Sequence, residues 1–155
     1  MEDVIRVADY ISQRYKNEFG EDIDEMKLHK MMYFAQRESY IMYKEPLFEA
    51  IFFGWKYGPV LYEVRKYYKG KDYPHVDIFS FCPAFVTLMD RVFQRYAAKS
   101  SWSLSRLTHG ELSWKNSRIG VEENENGNNP IDNNDIAKDA DRVRLRMEIL
   151  ELLNE

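Results

Sequence analysis

The sequence KLHKMMYFAQ at residues 27–36 lies inside a long helical pattern. Asp24 stands at a helix-start position before this stretch, and Pro46 interrupts the chain after it. Apolar and small side chains recur between them at helical spacing, at Leu28, Met31, Met32, Ala35, Ser39 and Met42. This wide, continuous face predicts a helix at the centre of the core.

Similar spacing predicts further helices on both sides of this one. Gly20 would end a first helix, Pro59 would be the first residue of a third, and Ser101 would cap a short fifth. The predicted segments besides the central one are residues 4–20, 59–70, 83–96, a short stretch from 101, and about 135–155. We expect the stripe of the last helix, formed by Ile136, Ala140, Val143, Met147, Leu150 and Leu153, to face the core.

Residues 51–57 are β-branched and aromatic, and they are too few for a helix before Gly58-Pro59. Alternation puts Ile51, Phe53, Trp55 and Tyr57 on one face, which we interpret as the core face. Taken together, residues 1–155 are expected to form a mainly α, single compact helical domain. It would hold five to six helices and one short extended or β element near residues 51–57.

The segment at residues 120–134 holds six asparagines together with glycine and proline, and almost no apolar side chains. Such a composition offers too little apolar area to offset the entropy of ordering, so it predicts a mobile acidic loop without core contacts. A solvated linker is the favoured interpretation. A docking arm for a basic partner and a protease-sensitive site are the alternatives.

The residues that could support catalysis do not form a known pattern. His29, His75 and His109 are far apart and lack metal-ligand spacing. The sequence contains no HExxH, P-loop, GxGxxG or GxSxG motif. Cys82 lies in the apolar run at residues 78–89 and is expected to be buried and inert. We therefore predict no enzyme activity, no catalytic residue, no metal site and no cofactor.

The remaining composition bears on location and partners. The N-terminus is acidic where a signal peptide would be basic, and the longest uncharged run has only twelve residues. These features and the lone cysteine predict a soluble, cytoplasmic protein that does not enter a membrane. The formal charge of −4 makes nucleic acid an unfavoured partner.

One basic stretch nevertheless keeps nucleic-acid binding open as the alternative. Arg65, Lys66, Lys69 and Lys71 follow one another on the third predicted helix, interleaved with tyrosines. Such a surface could contact phosphates or stacked bases. Glu63 and Asp72 dilute its charge, and tyrosines at this spacing more often belong to a core.

Several motifs occur in a fixed order along the chain. KLHKMMYFAQ is followed by PLF at residues 46–48, GWKYGPV at 54–60 and YEV at 62–64. LTH at residues 107–109, Trp114 and Arg118 come later. This series resembles the Panacea domain, the SocA-like antitoxin family that includes phage-associated GepA-like proteins. The resemblance covers about residues 4–153.

The resemblance implies an antitoxin that neutralises a cognate toxin by direct protein contact, or that delivers the toxin to a ClpXP-type protease. The alternative is a DNA-binding transcriptional regulator of a phage or mobile element, and analogy with other small regulators suggests a homodimer. Trp55 could serve either as a core residue or as an anchor for the partner. The candidate partner-binding residues are Trp55, Lys56, Tyr57, Gly58, Pro59, Tyr62, Trp102, His109 and Trp114.

Overall fold

The computed structural model of the chain describes residues 1–70, 73 and 75–154, and the fold within them is mainly helical, as predicted. The helices are α1 (Val4–Phe19), α2 (Glu25–Tyr43), α3 (Tyr62–Gly70), α4 (Pro83–Val92), α5 (Ser101–His109), α6 (Leu112–Ser117) and α7 (Asn133–Leu153). A π-helical turn (Phe93–Ala97) continues α4, and β1 (Phe53–Trp55) pairs with β2 (Gly58–Val60). The described residues thus form seven α-helices, against the five to six predicted. None of these helices is long and apolar enough to cross a membrane.

Helix α2 is the centre of the fold, and its predicted position is confirmed. Every residue from Lys27 to Ser39 is buried, polar ones included. Helices α1, α3, α4, α5 and α7 and strand β2 all pack against it. An apolar stripe alone would bury one face of a helix, whereas α2 is enclosed on every side.

The ends of the first helices follow the capping residues that the sequence shows. Asp3 accepts hydrogen bonds from the amides of Ile5 and Arg6, and Gly20 ends α1 in the left-handed region at φ 74°. Asp24 Oδ1 accepts the Lys27 amide at 2.7 Å, as predicted. The predicted cap of α5 is wrong by one residue, because Ser100 makes the capping bond and Ser101 hydrogen-bonds to Asp24 instead.

The Gly58-Pro59 pair forms a strand, not the start of a helix. Antiparallel pairing places Gly54 opposite Pro59 and Trp55 opposite Gly58, so Lys56 and Tyr57 form the hairpin loop. The prediction that Pro59 begins the third helix is therefore wrong. Gly58 adopts φ 117°, which lets the chain reverse directly after Tyr57. Helix α3 begins only at Tyr62.

The predicted core face of residues 51–57 is also wrong. Phe52 and Gly54 are the buried members of this segment, whereas Ile51 and Tyr57 are exposed. Phe52 packs edge-on against Tyr33, with ring centroids 5.7 Å apart. A Cβ at position 54 would lie 1.9 Å from Ser117 Oγ, so this face admits only glycine there. Cys82, expected to be buried, is exposed, because it precedes the first turn of α4.

The stripe predicted for α7 is only partly buried. Ile136 and Ala140 are in the interior, but no residue after Ala140 in the described part of α7 is fully buried. Leu150 and Leu153, which belong to the predicted stripe, are exposed. The second half of α7 therefore extends past the helices against which its first half packs.

A buried carboxylate on α1 fixes the segment that follows α3. Asp9 accepts hydrogen bonds from Gln13 Nε2, Tyr67 Oη and the Val76 amide, at 2.7, 2.6 and 2.7 Å, and lies 3.0 Å from His75 Nδ1. Burial by itself would raise the pKa of Asp9, but these hydrogen bonds hold the pKa below its ordinary value. The ionised form is therefore the one that the fold requires.

We expect Asp9→Asn to lower the free energy of unfolding by about 1–3 kcal/mol at neutral pH, because an amide cannot accept all of these donors. The folded-state pKa of Asp9 is depressed, so its contribution is present above the unfolded pKa of about 4 and is lost as pH falls through the folded value. Urea unfolding of both proteins from neutral to acidic pH should show their difference shrinking. Asp22→Asn, at an exposed carboxylate, is the control, and a difference that is constant with pH would contradict this account.

Candidate partner-binding site

The hairpin loop is held from beneath by side chains of α2 and α5. Lys30 Nζ donates to the Pro59 carbonyl at 3.3 Å, and Ser105 Oγ donates to the Tyr57 carbonyl at 2.6 Å. A Cβ on residue 58 would lie 2.5 Å from Thr108 Oγ1 and 2.9 Å from Lys30 Cε. Gly58 therefore meets two requirements, a positive φ and a close approach to α2.

His29 ties the entry of α3 to α2. Its Nδ1 accepts the Leu61 amide at 3.2 Å, so the ring proton sits on Nε2, which lies 3.0 Å from Glu25 Oε2. Burial lowers the pKa of His29 to about 4, and the imidazole is neutral at physiological pH. This matches the hydrogen-bonding role expected from its position on the helix.

Lys30 is the buried cation below the hairpin, and the motif reading gave it no role. Burial lowers the pKa of its ammonium group to about 7. Its position in KLHKMMYFAQ is a signal that sequence reasoning could have used, because a lysine there interrupts an otherwise apolar pattern. Its long stem reaches across the helix interface to the hairpin.

Exposed aromatic side chains surround this anchored loop. The rings of Tyr57 and Trp102 meet edge to face at 5.2 Å, and Lys56 Nζ lies 5.2 Å from the centre of the Tyr57 ring. The rings of Trp55 and Tyr62 are 6.2 Å apart. Trp102 is 58% exposed, Tyr57 45% and Tyr62 36%. We call these five residues, Trp55, Lys56, Tyr57, Tyr62 and Trp102, the aromatic face.

The other four predicted site residues lie behind the aromatic face. Gly58 and Pro59 are buried. Trp114 Nε1 donates to the Trp55 carbonyl at 2.8 Å, and its ring stacks on His109 with centroids 4.1 Å apart. Burial lowers the pKa of His109, against a hydrogen bond with the Lys56 backbone that raises it. These residues support the hairpin, while Trp102 is exposed, as expected from its serine-rich surroundings.

The acidic loop is attached to the same hairpin. The Gly54 amide donates to the Asn129 carbonyl at 2.9 Å, and the Ile131 amide donates to the Phe52 carbonyl at 2.7 Å. Ile131 belongs to the hydrophobic core. The expectation of a loop without core contacts is therefore wrong. Composition measures apolar area, whereas this segment is held mainly by hydrogen bonds.

Arg118 organises the tip of the loop. Its guanidinium donates to the carbonyls of Glu122 and Glu125 at 3.1 and 2.7 Å, and it also binds the Asn126 and Gly54 carbonyls. Asn128 then accepts hydrogen bonds from Tyr62 Oη and Trp55 Nε1. Arg118 was noted only within the resemblance. The structure shows that it joins the loop to the aromatic face.

The residues of the nucleic-acid alternative are less well placed. Arg65 lies 3.8 Å from Glu25 and over the Trp55 ring at 4.9 Å, so its charge is partly engaged inside the domain. Lys66 and Lys69 are exposed, and Lys71 lies outside the described residues. The intervening Tyr67 and Tyr68 hydroxyls bind Asp9 and the Ile23 carbonyl, so these rings are directed inward.

Comparison with protein families gives one match. A family model described as the SocA-like antitoxin, Panacea domain, matches residues 28–115, more than half of the chain. The chain belongs to the SocA-like Panacea family. No curated protein and no solved structure matches the chain.

The matched region extends from α2 into α6. It includes Lys30, the hairpin and α5, and therefore the whole aromatic face of this Panacea domain. The loop at residues 120–132, which Arg118 holds, lies outside the matched residues. The attachment of this loop to the hairpin is thus a feature that the structure of this chain adds to the family assignment.

We expect Lys30→Met to flatten the dependence of stability on pH above neutrality. The folded pKa of Lys30 is about 7, and the unfolded value is about 10.4, so between them the unfolded chain binds the extra proton and stability rises with pH. Urea unfolding from neutral pH to about pH 9.5 should therefore show the native protein gaining on the variant. Lys16→Met, at an exposed site, should not change the slope. Parallel pH profiles for the native protein and Lys30→Met would refute the assignment.

We expect Arg118→Ala to release the loop tip while leaving its base attached. Hydrogen exchange should become faster at residues 121–129, because four backbone carbonyls lose their donor. The Ile131 amide, bound to Phe52, should remain slow. Lys115→Ala removes an exposed cation from the neighbouring turn and is the matched control. Unchanged exchange at residues 121–129 would show that the guanidinium does not order this segment.

Proposed function

We propose that the chain is an antitoxin that neutralises a partner toxin by direct protein contact, and that the aromatic face is the docking surface. Membership of the SocA-like antitoxin family supports the first part. The observation that carries the second is the exposure of Trp102, Tyr57 and Tyr62 around a single loop. Tryptophan and tyrosine are the side chains most enriched among interface residues that dominate binding energy.

The way the hairpin is supported favours tight binding. Its backbone is fixed by Lys30 and Ser105 from below, and by the loop at Asn126 and Asn128 from the side. A surface that is already ordered loses little conformational entropy when a partner binds. Delivery of the toxin to a ClpXP-type protease would be a second outcome of the same contact, and the cytoplasm would be its place of action.

A role without catalysis is part of this proposal. The buried titratable groups Asp9, His29 and Lys30 have hydrogen-bond partners that connect elements of the fold. Perturbed pKa values can mark active sites, but ion-pair and hydrogen-bond networks produce them as well. The pairing of each group with a structural neighbour supports the second explanation for this domain.

We expect the double variant Tyr57→Ala/Trp102→Ala to weaken toxin binding by at least about tenfold and to abolish growth rescue, because anchor residues each contribute about 1–2 kcal/mol or more. The test is co-expression with the toxic product of the adjacent gene, followed by co-purification and titration calorimetry. Both side chains are exposed, so the melting temperature should change little.

Phe79→Ala is the matched control, because Phe79 is an exposed aromatic residue in the segment before α4, outside the aromatic face. Loss of rescue in both variants, or in neither, would reject the aromatic face as the docking surface. Failure of the native chain to neutralise the adjacent gene's product would reject the antitoxin role itself.

A further inference from the structure

The second half of α7 exposes a row of large aliphatic side chains. Leu145 is 58% exposed, Ile149 48%, Leu152 68% and Leu153 76%. Leu145, Ile149 and Leu152 follow the spacing of i, i+4 and i+7, so they form one stripe along the helix. Single exposed apolar residues are ordinary, but a continuous stripe on a projecting helix is typical of an interaction surface.

The charges beside this stripe are separated along the helix. Arg142, Arg144 and Arg146 precede Glu148 and Glu151. Arg144 is engaged by Asp141 and by the Tyr40 carbonyl. Among the described residues, Arg142, Arg146, Glu148 and Glu151 form no salt bridge.

The basic section is wider than the helix itself. Arg95, from the π-helical turn, lines the same groove as Arg142 and Arg146, beside the apolar side chains of Leu107 and Met147. This groove has a volume of about 440 Å³. A basic surface next to apolar side chains fits an acidic, amphipathic helix.

The chain itself supplies such a helix, because the end of α7 combines the aliphatic stripe with Glu148 and Glu151. We propose that two copies of the chain associate through the second halves of their α7 helices, in an antiparallel, two-fold symmetric dimer. Antiparallel pairing places the basic section of each copy across from the acidic section of the other. A parallel arrangement would oppose like charges. The aliphatic stripes meet between the charged sections and are removed from water.

This dimer uses a surface separate from the aromatic face. The aromatic face lies on β1, the hairpin loop, the start of α3 and the start of α5, whereas the dimer surface lies beyond the last buried turn of α7. Each copy in the dimer would keep its own docking surface. The antitoxin proposal and the dimer proposal can therefore fail independently.

The test is sedimentation velocity of the full chain alone over a hundredfold range of concentration. We expect a monomer–dimer equilibrium, and Ile149→Glu/Leu152→Glu should raise its dissociation constant at least about tenfold. Ile119→Glu is the matched control, because Ile119 is also 75% exposed but lies after α6. A native chain that stays monomeric, or a dimer that Ile149→Glu/Leu152→Glu leaves intact, would overturn the proposal.

Charge reversal tests whether the two α7 helices meet each other. Arg142→Glu/Arg146→Glu and Glu148→Arg/Glu151→Arg should each weaken the dimer, since each makes the helix end a single sign of charge. Mixed together, the two variants should form a heterodimer that weakens with salt. Mixed variants that remain monomers would exclude α7–α7 pairing. Loss of toxin binding in Ile149→Glu/Leu152→Glu, with a native chain that is monomeric, would assign the stripe to the toxin instead.

Discussion

The burial of polar side chains along α2 is the constraint on which the rest of the structure depends. A buried polar group without a partner costs free energy, so each one must be met by a donor or acceptor from another element. In chain order, Lys27 donates to the Ala97 carbonyl, His29 accepts from the Leu61 amide, Lys30 donates to the Pro59 carbonyl, Tyr33 bonds with Ser113, Gln36 bonds with the backbone of Leu47 and Phe48, Arg37 binds Glu111 and Tyr96, and Glu38 binds Arg91. Each bond fixes the position of a different segment relative to α2, which hydrophobic contact alone would specify less narrowly.

This explains what the family motif means physically. The polar letters of KLHKMMYFAQ could have suggested an active site, since they include a histidine and two lysines. In the structure they are structural, and their partners are mostly backbone groups. The motif therefore identifies the scaffold and carries no information about the surface that a partner would meet. In this fold the aromatic face is supported by the motif but is not part of it.

The sequence predicted those features that depend on neighbouring residues. The limits of α1 and the start of α2 follow from Asp3, Gly20 and Asp24, whose capping acts over a few residues. The buried face of residues 51–57 could not be predicted in this way, because alternation is the same for both faces of a strand. Phe52 is buried because Tyr33 and Phe48 lie on that side, and this depends on α2 and a distant turn. For the candidate site, the sequence named the aromatic residues, but it missed Lys30 and gave no role to Arg118.

The same reasoning explains why the acidic loop and α7 departed from expectation in opposite directions. The loop is poor in apolar residues but is ordered by backbone bonds to β1 and by Arg118, none of which composition can reveal. Helix α7 is rich in apolar residues, yet its second half has no neighbour within the described chain. Apolar area drives burial only where another surface is available to cover it. A segment with few apolar residues can thus be fixed to the domain, while one with many projects from it, and the second case is the one that requires a partner.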